Sequence, residues 1–259
     1  MKGLQGKIVL VTGGSRGIGR SIALAFAAQG TYVVITGRTQ ATLDAVAQEI
    51  RCLGARVLPL SCDVTLKGEV EALEHEITAR AGTVQVLINN AGIAPAASFL
   101  EMGDRLWEEV LKVNLMGTYY CCKVFLSGMI ASGWGRIINM GSTVAKVAYP
   151  RTAAYTTSKH AVLGLTRALA VEVAKWGVTV NAICPGYVDT DLTQKNARLV
   201  AEERGKGVEE ILQLFKGTSP QNRLIAPAEV AALALMLASE AAGGITGQSI
   251  NVDGGAVMV

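Results

Sequence analysis

A tyrosine and a lysine four residues apart are the strongest candidates for chemistry in this sequence. Tyr155 and Lys159 occupy positions i and i+4 of a predicted helix, so their side chains share one helix face, about 5–6 Å apart at Cβ. A free phenol titrates near pKa ~10, and a neighbouring ammonium favours its phenolate form. The two residues can therefore act together in proton transfer near neutral pH. Ser142 ends the preceding predicted strand, where the strands of a parallel sheet open into a ligand crevice.

A glycine-rich turn follows the first predicted strand and opens a helix. It runs from Thr12 to Gly19, with glycines at positions 13, 17 and 19 that allow the backbone to approach a diphosphate. The free N–H groups at the start of the helix would point at the anion. The spacing departs from the standard G-x-G-x-x-G fingerprint, but the position between strand and helix indicates a phosphate-binding loop.

The end of the second predicted strand indicates which dinucleotide the chain prefers. The fingerprint places an acidic residue there to bind the ribose hydroxyls of NAD, but this sequence has Gly37 and Arg38. A guanidinium pairs with a 2′-phosphate, and Arg16 in the glycine turn can approach the same group from the other side. We therefore predict NADP(H) in preference to NAD(H). NAD(H) stays possible, since the alternative interpretation of Arg38 is an ordinary exposed loop arginine.

Two kinds of segment alternate along the chain and must position these groups. The short β-branched runs typical of buried strands are Ile8–Val11, Tyr32–Ile35, Val57–Leu60, Val86–Ile88, Arg136–Met140, Val178–Ile183 and Ser249–Val252. The stretches with helical spacing are Gly17–Gln29, Ala41–Leu53, Gly68–Ala81, Asp104–Ser132, Thr152–Trp176 and Ala228–Ser239. This alternation predicts an α/β fold of the Rossmann type, with a doubly wound parallel sheet of about seven strands and helices on both faces.

The length of 259 residues suits one domain, and no linker or repeat divides it. We therefore predict a single dinucleotide-binding and catalytic domain over residues 1–259. One segment, between Cys184 and Pro227, is unusually long and carries a charged, helical-looking patch from Lys195 to Glu210. Long excursions in compact domains often form lids, so we predict a substrate lid at about 187–226. The alternative for the charged patch is a solvated surface helix.

Composition excludes several classes of function. The 24 Lys and Arg residues nearly balance the 21 acids, for a net charge of +3, which gives no electrostatic footprint for nucleic acid or an anionic membrane. A small molecule is the expected partner. Five cysteines without C-x-x-C spacing and only two histidines argue against a metal site. The N-terminus shows no signal-peptide pattern, so we expect a cytoplasmic protein.

Six motifs, in order and spread over essentially the whole chain, resemble those of the short-chain dehydrogenase/reductase family. They are the glycine turn at 12–19, Asn89-Asn90-Ala91-Gly92, Asn114, Ser142, Tyr155-Thr156-Thr157-Ser158-Lys159 and Pro185-Gly186. The resemblance implies four catalytic residues. Tyr155 would be the general acid in carbonyl reduction, Lys159 would hold the nicotinamide ribose and lower the pKa of the tyrosine, and Ser142 would donate a hydrogen bond to the carbonyl. Asn114 would kink its helix and position a water that links Lys159 to bulk solvent.

The resemblance also implies a set of cofactor-binding residues. Asp63 and Val64 would hold the adenine, Asn90-Ala91-Gly92 would lie against the adenosine ribose, and Pro185-Gly186 with Val188 and Thr190 would grip the nicotinamide carboxamide. The full expected set is Gly13, Ser15, Arg16, Gly17, Ile18, Gly19, Arg38, Asp63, Val64, Asn90, Ala91, Gly92, Tyr155, Lys159, Pro185, Gly186, Val188 and Thr190. Structural alternatives exist for two positions: Asp63 could cap a turn, and Asn89 could brace the sheet. The family also implies a homotetramer, or a homodimer.

The predicted function is an NADPH-dependent reductase of ketones, with a 3-oxoacyl thioester as the leading substrate. The first alternative is a hydrophobic or cyclic secondary alcohol or ketone, with a possible NAD link. Family members that act on free 3-hydroxybutyrate carry a histidine two residues after the serine and a lysine three before the tyrosine. This sequence has Val144 and Thr152 there, which disfavours a small free keto acid. A regulator that binds NADP(H) without turnover is an alternative of a different class, and a nucleotide-sugar epimerase or dehydratase is disfavoured by the chain length.

Overall fold

The computed structural model describes residues 1–259 and shows strands and helices in alternation. The strands are β1 (Ile8–Thr12), β2 (Tyr32–Gly37), β3 (Arg56–Ser61), β4 (Val86–Asn89), β5 (Gly135–Met140), β6 (Val178–Pro185) and β7 (Ser249–Val252). The helices are α1 (Gly17–Ala27), α2 (Gln40–Cys52), α3 (Lys67–Arg80), α4 (Asp104–Leu111), α5 (Gly117–Ala131), α6 (Ala153–Val173), α7 (Asp191–Arg204), α8 (Val208–Lys216) and α9 (Pro227–Ala238). No helix combines the length and the apolar character that crossing a membrane requires.

All seven strands form one parallel sheet in the order β3-β2-β1-β4-β5-β6-β7. The strand order reverses beside β1, where Val11 pairs with Ile35 of β2 on one side and with Ile88 of β4 on the other. At such a switch point the loops after neighbouring strands diverge and leave a crevice at the carboxyl edge of the sheet. The predicted seven-stranded, doubly wound α/β fold is confirmed.

Each face of the sheet carries its own hydrophobic core. On β1, Val9 and Val11 belong to a cluster of 25 buried residues, whereas Ile8 and Leu10 belong to a cluster of 21 on the opposite face. Successive side chains of a strand point to opposite faces, so a strand covered on both sides needs an unbroken apolar run. This requirement explains why the central strands are recognisable as continuous β-branched runs.

The long helix predicted over Asp104–Ser132 is interrupted in the structure. A π-helical segment, Lys112–Met116, separates α4 from α5 and contains the buried Asn114. A π-helical segment accommodates one extra residue and is common at functional sites. The irregularity that the family resemblance implied at Asn114 is therefore present as a π-helical turn.

The charged patch predicted as one helical stretch, Lys195–Glu210, is in fact divided between two helices. Gly205 ends α7 with a φ of 62°, a left-handed conformation that stops the helix, and α8 begins at Val208. The two helices also share an apolar contact, so they are not simply a solvated surface helix. Their small cluster, separate from both sheet cores, consists of Ala197, Ala201, Ile211 and Leu212.

Candidate active site

The glycine turn between β1 and α1 depends on glycine for steric reasons. Gly13 and Gly17 have φ angles of 64° and 52°, a region that side chains disfavour. A Cβ on Gly19 would lie 2.2 Å from the carbonyl oxygen of Gly13, so only glycine fits there. Arg16, at the N-cap of α1, makes no capping hydrogen bond with its side chain. The first N–H groups of α1 are thus available to an anion.

Asn90, directly after β4, holds the glycine turn in place. Its Nδ2 donates to the carbonyls of Thr12 at 2.9 Å and Gly13 at 3.1 Å. The hydroxyl of Thr12 in turn accepts the backbone N–H groups of Asn90 and Ala91, each at 3.0 Å. The sequence expectation placed Asn90 directly against the adenosine ribose. In the structure the amide nitrogen of Asn90 is engaged by the loop, and the contact of Asn90, Ala91 and Gly92 with a ribose remains a prediction.

Asn89 and Asp63 take the structural roles considered as alternatives. Asn89 braces the sheet, since its Nδ2 donates to Oδ1 of Asn139 on β5 at 2.8 Å. Asp63 caps the turn after β3, because its Oδ1 accepts the N–H of Thr65 at 2.9 Å. Val64, next to Asp63, is buried, and a Cβ on Gly117 would come within 2.8 Å of its Cγ2. The capping contact uses one carboxylate oxygen of Asp63, and the contact of Asp63 with an adenine remains a prediction.

The ends of β2 and β6 flank the glycine turn on its two sides. A Cβ on Gly37 would lie 3.9 Å from Oγ of Ser15, next to the exposed residues Arg16 and Arg38. On the other side, a Cβ on Gly17 would lie 3.3 Å from Cγ2 of Thr190. Ile18, also in the expected set, is half-buried against the sheet core. The crevice therefore has a cationic end at β2 and leads across the turn toward β6.

Lys159 is buried at the carboxyl end of β5. Its Nζ donates to the carbonyl of Met140, the last residue of that strand, at 2.7 Å. The same Nζ lies 5.7 Å from the ring centroid of Tyr155, so the two residues share one face of α6 as their spacing predicted. Burial lowers the pKa of Lys159 to about 8, because a low-dielectric environment penalises the ammonium.

Burial also affects the acidity of Tyr155. Burial raises the pKa of its phenol, and a hydrogen bond with Ser142 opposes that rise in part. The lowering by Lys159 that the family resemblance implies remains a prediction for the cofactor-bound protein; in this structure the ammonium donates to the Met140 carbonyl. Without a bound cofactor the phenol therefore keeps its proton through neutral pH. Ser142 itself accepts the N–H of Val144 at 3.3 Å.

Asn114 ties the π-helical segment to both neighbouring parts of the site. Its Oδ1 accepts the N–H of Ile93 at 2.9 Å, and its Nδ2 donates to the carbonyl of Ile93 and to Oγ of Ser158. A Cβ on Gly92 would lie 3.1 Å from this Oδ1 and 3.7 Å from Nζ of Lys159. The structure thus brings Asn114, Gly92 and Lys159 together, and the bridging water remains a prediction.

The residues expected to hold the nicotinamide form the base of residues 187–226, which we call the lid segment. A Cβ on Gly186, which directly follows Pro185, would lie 3.0 Å from Cβ of Asp253. Val188 pairs with Ile225 in a parallel bridge, which joins the two ends of the lid segment. Thr190 caps α7 by accepting the N–H of Thr193 at 3.4 Å.

Sequence reasoning did not identify an aromatic wall beside Tyr155. The ring of Tyr187 stacks on Phe215 of α8, with centroids 4.2 Å apart and planes inclined by 6°. Both rings line a cavity together with Tyr149, Thr143 and Arg223. Burial raises the pKa of Tyr187, and the neighbouring Tyr149 raises it further. The signal that could have found Tyr187 is its place directly after Pro185-Gly186.

Comparisons with known proteins agree with this architecture. Residues 7–200 match the family model described as short chain dehydrogenase. The chain is 40% identical to the 3-oxoacyl-[acyl-carrier-protein] reductase of Aquifex aeolicus, over 97% of this chain and 98% of that protein. It is 38% identical to the D-beta-hydroxybutyrate dehydrogenase of Cupriavidus necator, with the same two coverages.

A solved structure shows the same arrangement of the backbone. A single-residue variant of actinorhodin polyketide ketoreductase, crystallised with NADPH, superimposes with a TM-score of 0.94. The two chains are 35% identical, and the superposition covers 98% of each. The predicted family is confirmed. This chain belongs to the short-chain dehydrogenase/reductase family and is an oxidoreductase that acts on carbonyl or hydroxyl groups.

Proposed function

We propose that this chain is an NADPH-dependent reductase of ketones, and that its main substrate class is 3-oxoacyl thioesters. The observation that carries the proposal is the meeting of Tyr155, Ser142 and Lys159 at the carboxyl edge of the sheet, beside the glycine turn. The names of two relatives, a 3-oxoacyl-[acyl-carrier-protein] reductase and a polyketide ketoreductase, support the substrate class.

The glycine turn fits a phosphorylated dinucleotide. The space beside Gly19 is too small for any Cβ, and the open N–H groups of α1 provide donors for the diphosphate. Arg16 and Arg38 are exposed and directly follow Ser15 and Gly37, which approach each other, and their guanidinium groups would bind a 2′-phosphate there. NADPH, when bound, supplies the hydride that reduces the carbonyl carbon, and its presence in the related ketoreductase structure supports this choice.

Tyr155 and Ser142 would act on the oxygen of the substrate carbonyl. The raised pKa of Tyr155 keeps the phenol protonated, so it can give its proton to the oxygen as negative charge develops there. Ser142 accepts a backbone N–H through its Oγ and keeps its own O–H as a donor for the same oxygen. Ser142 lies close enough to Tyr155 before substrate binds to oppose the rise in its pKa, which suits a joint action on one oxygen.

Lys159 and Asn114 would hold the ribose and resupply the proton. The ammonium of Lys159 has three donors, of which one goes to the Met140 carbonyl, so two remain for ribose hydroxyls. Asn114 and Lys159 both border Gly92, where a water could link them and return a proton to Tyr155. With a pKa of about 8, Lys159 is mostly charged at neutral pH.

The lid segment, within a single domain of residues 1–259, would close over the substrate. Val144 is buried and Thr152 donates to the carbonyl of Tyr149, so neither offers a cation to a small carboxylate. This disfavours a free keto acid, although one relative is a D-beta-hydroxybutyrate dehydrogenase. The stacked rings of Tyr187 and Phe215 support a second candidate, a hydrophobic or cyclic ketone.

We further propose that the chain works as a homotetramer, or a homodimer, in the cytoplasm. The outer face of α6 supports self-association, since the small residues Gly164 and Ala168 are exposed there and Val171 is 84% exposed. Small side chains allow two helices to approach closely. The molar mass in solution, measured by light scattering, tests this part of the proposal.

The proposed function is tested by following NADPH and NADH absorbance with an acetoacetyl thioester, a cyclic ketone and a free keto acid. We expect NADPH oxidation with the thioester, and a loss of about 10²–10⁴-fold in kcat for Tyr155→Phe with NADPH binding retained. Arg38→Asp should move the preference toward NADH, since the carboxylate repels a 2′-phosphate. NADPH binding without turnover of any carbonyl would favour the regulator, and full activity of Tyr155→Phe would contradict the assigned proton donor.

A further inference from the structure

Arg151 has a backbone conformation that is costly for its residue type. Its φ is 68°, and Asn222, at 50°, is the other non-glycine residue with a positive φ. Asparagine tolerates the left-handed region, whereas the Cβ of a long side chain crowds the backbone there. Glycine would occupy position 151 without that penalty. Strained residues persist where the surrounding structure holds them, so the contacts of Arg151 are informative.

The side chain of Arg151 connects the lid segment to the segment that carries Tyr155. Its guanidinium forms an ion pair with the carboxylate of Glu203, near the end of α7. Arg151 lies two residues before α6 begins and four residues before Tyr155. Its carbonyl accepts the N–H of Ala97 at 3.0 Å. Position 151 therefore joins the loop after β4, the start of α6 and the lid segment.

The other ion pairs of the lid segment do not make this connection. Lys206 pairs with Glu210, and Lys216 pairs with Glu209, within the lid helices and their connection, whereas Arg223 pairs with Glu229 of α9. The apolar cluster of α7 and α8 is also separate from the two sheet cores. The position of the lid helices therefore depends on a few contacts with the body, and Arg151–Glu203 is the ion pair that joins α7 to the segment before α6.

We propose that Arg151 is a positioning residue, whose left-handed backbone and ion pair with Glu203 hold α7 against the start of α6 and so set the closed position of the lid. This inference rests on the proposed function of the lid segment as a substrate lid. The side chains of Arg151 and Glu203 are 38% and 46% exposed. An exposed ion pair is weak, so it can open to admit substrate and close again in each turnover.

The variant Arg151→Gly separates this role from a purely structural one. It removes the ion pair and at the same time suits a positive φ, so we expect an unchanged or higher melting temperature. The KM for an acetoacetyl thioester should rise about three- to five-fold, the range that an exposed ion pair allows, while the KM for NADPH stays within two-fold. A lower melting temperature together with equal losses for both substrates would overturn the inference.

Matched variants test whether the effect belongs to the pair. Glu203→Gln should raise the thioester KM as Arg151→Gly does, the double variant should add nothing further, and Arg151→Lys should recover part of the loss. Glu210→Gln is the control, because it breaks an ion pair of similar exposure that stays beside the lid helices. An equal rise in KM for this control would contradict the proposal.

Hydrogen exchange of the unliganded protein tests the contact without any substrate. We expect faster exchange of the amides of α7 and α8 in Arg151→Gly and in Glu203→Gln, and no change in Glu210→Gln. If the wild type reduces no ketone but this exchange pattern holds, the proposed function fails and the lid contact stands. If ketones are reduced but neither exchange nor KM responds to Arg151→Gly, the inference about Arg151 fails.

Discussion

The two sides of the crevice are built in different ways. On the glycine-turn side, Asn90 and Thr12 make four hydrogen bonds that lock the loop between β1 and α1, and Gly19 lies where no other residue fits. On the lid side, α7 and α8 pack on a cluster of four buried residues. One ring stack and one exposed ion pair then attach these helices near Tyr155.

The difference corresponds to two tasks: binding the diphosphate, which needs a fixed geometry, and admitting and releasing the substrate, which needs movement. Binding a diphosphate requires backbone N–H groups at fixed positions, which a rigid loop supplies. Admitting and releasing a substrate requires an element of low local stability, which few and exposed contacts supply. Substitutions on the first side should therefore abolish cofactor binding, whereas substitutions on the second side should alter substrate use by smaller factors.

The largest effect is expected for Gly19→Ala. The added methyl would lie 2.2 Å from the Gly13 carbonyl oxygen and 2.5 Å from Nδ2 of Asn90, so the turn must deform. We expect a loss of NADPH affinity of about 100-fold or more, since displaced N–H donors no longer reach the diphosphate. Fluorescence titration with NADPH measures this loss.

Gly68→Ala is the matched control for that substitution. Gly68 lies in α3, and a Cβ there would meet no atom within 4 Å. This variant should bind NADPH as the wild type does and be slightly more stable, because alanine is the better helix former. Normal NADPH binding by Gly19→Ala would remove the contrast between a rigid side and an adjustable one.

A smaller effect is expected on the lid side for Phe215→Ala. The substitution removes the ring that stacks on Tyr187 and enlarges the cavity that both rings line. We expect the ratio of kcat/KM for a cyclic ketone to that for a linear 3-oxoacyl thioester to rise about ten-fold, the order that pocket contacts supply. Leu214→Ala, at an adjacent exposed position, should leave the ratio unchanged. A large loss of NADPH affinity in Phe215→Ala would show that the two sides are coupled.

The smallest effect is expected in the pH dependence of kcat/KM, which also distinguishes Lys159 from the lid side. Lys159 has a folded-state pKa of about 8, below the ordinary value of 10.5, so it loses its charge above about pH 8. We expect kcat/KM for reduction to fall there by a few-fold, as the ammonium proposed to hold the ribose is lost. Phe215→Ala should keep this profile, because the titrating group lies outside the lid.

The contribution of Lys159 to the free energy of unfolding should rise with pH, whereas its contribution to kcat/KM should fall. Between pH 8 and 10.5 the unfolded chain holds this proton and the folded chain does not, so the contribution of the group to the free energy of unfolding rises with pH. Lys159→Met should therefore remove a rise in stability over that window. Denaturant unfolding of both proteins from pH 7 to 10 measures the difference, and parallel curves would contradict the lowered pKa.

The sequence predicted those features that depend only on single residues or on short runs of neighbouring residues. The strands could be recognised because burial on both faces requires continuous apolar residues, as in Val9 and Leu10. The need for glycine at position 19 could also be anticipated, since backbone sterics act locally. The i and i+4 spacing likewise placed Tyr155 and Lys159 together.

Features that depend on contacts between distant segments could not be predicted. The sequence did not show that the amide of Asn90 holds a loop 77 and 78 residues away in the chain. The stack of Tyr187 on Phe215 joins two elements whose relative placement no local pattern encodes. The raised pKa of Tyr155 follows from burial, and an isolated i, i+4 pair does not show how deeply it will lie.

The π-helical turn at Lys112–Met116 has a consequence for how this chain tolerates change in length. Successive residues of an α-helix are rotated by about 100° about its axis. The π-helical turn contains one extra residue, so it accommodates that additional rotation between α4 and α5. Asn114 can thus face the crevice while Cys121 and Phe125 stay in the core behind it. Deleting one residue from this turn would force a choice between the two orientations, so natural length variation should be excluded there and confined to surface loops.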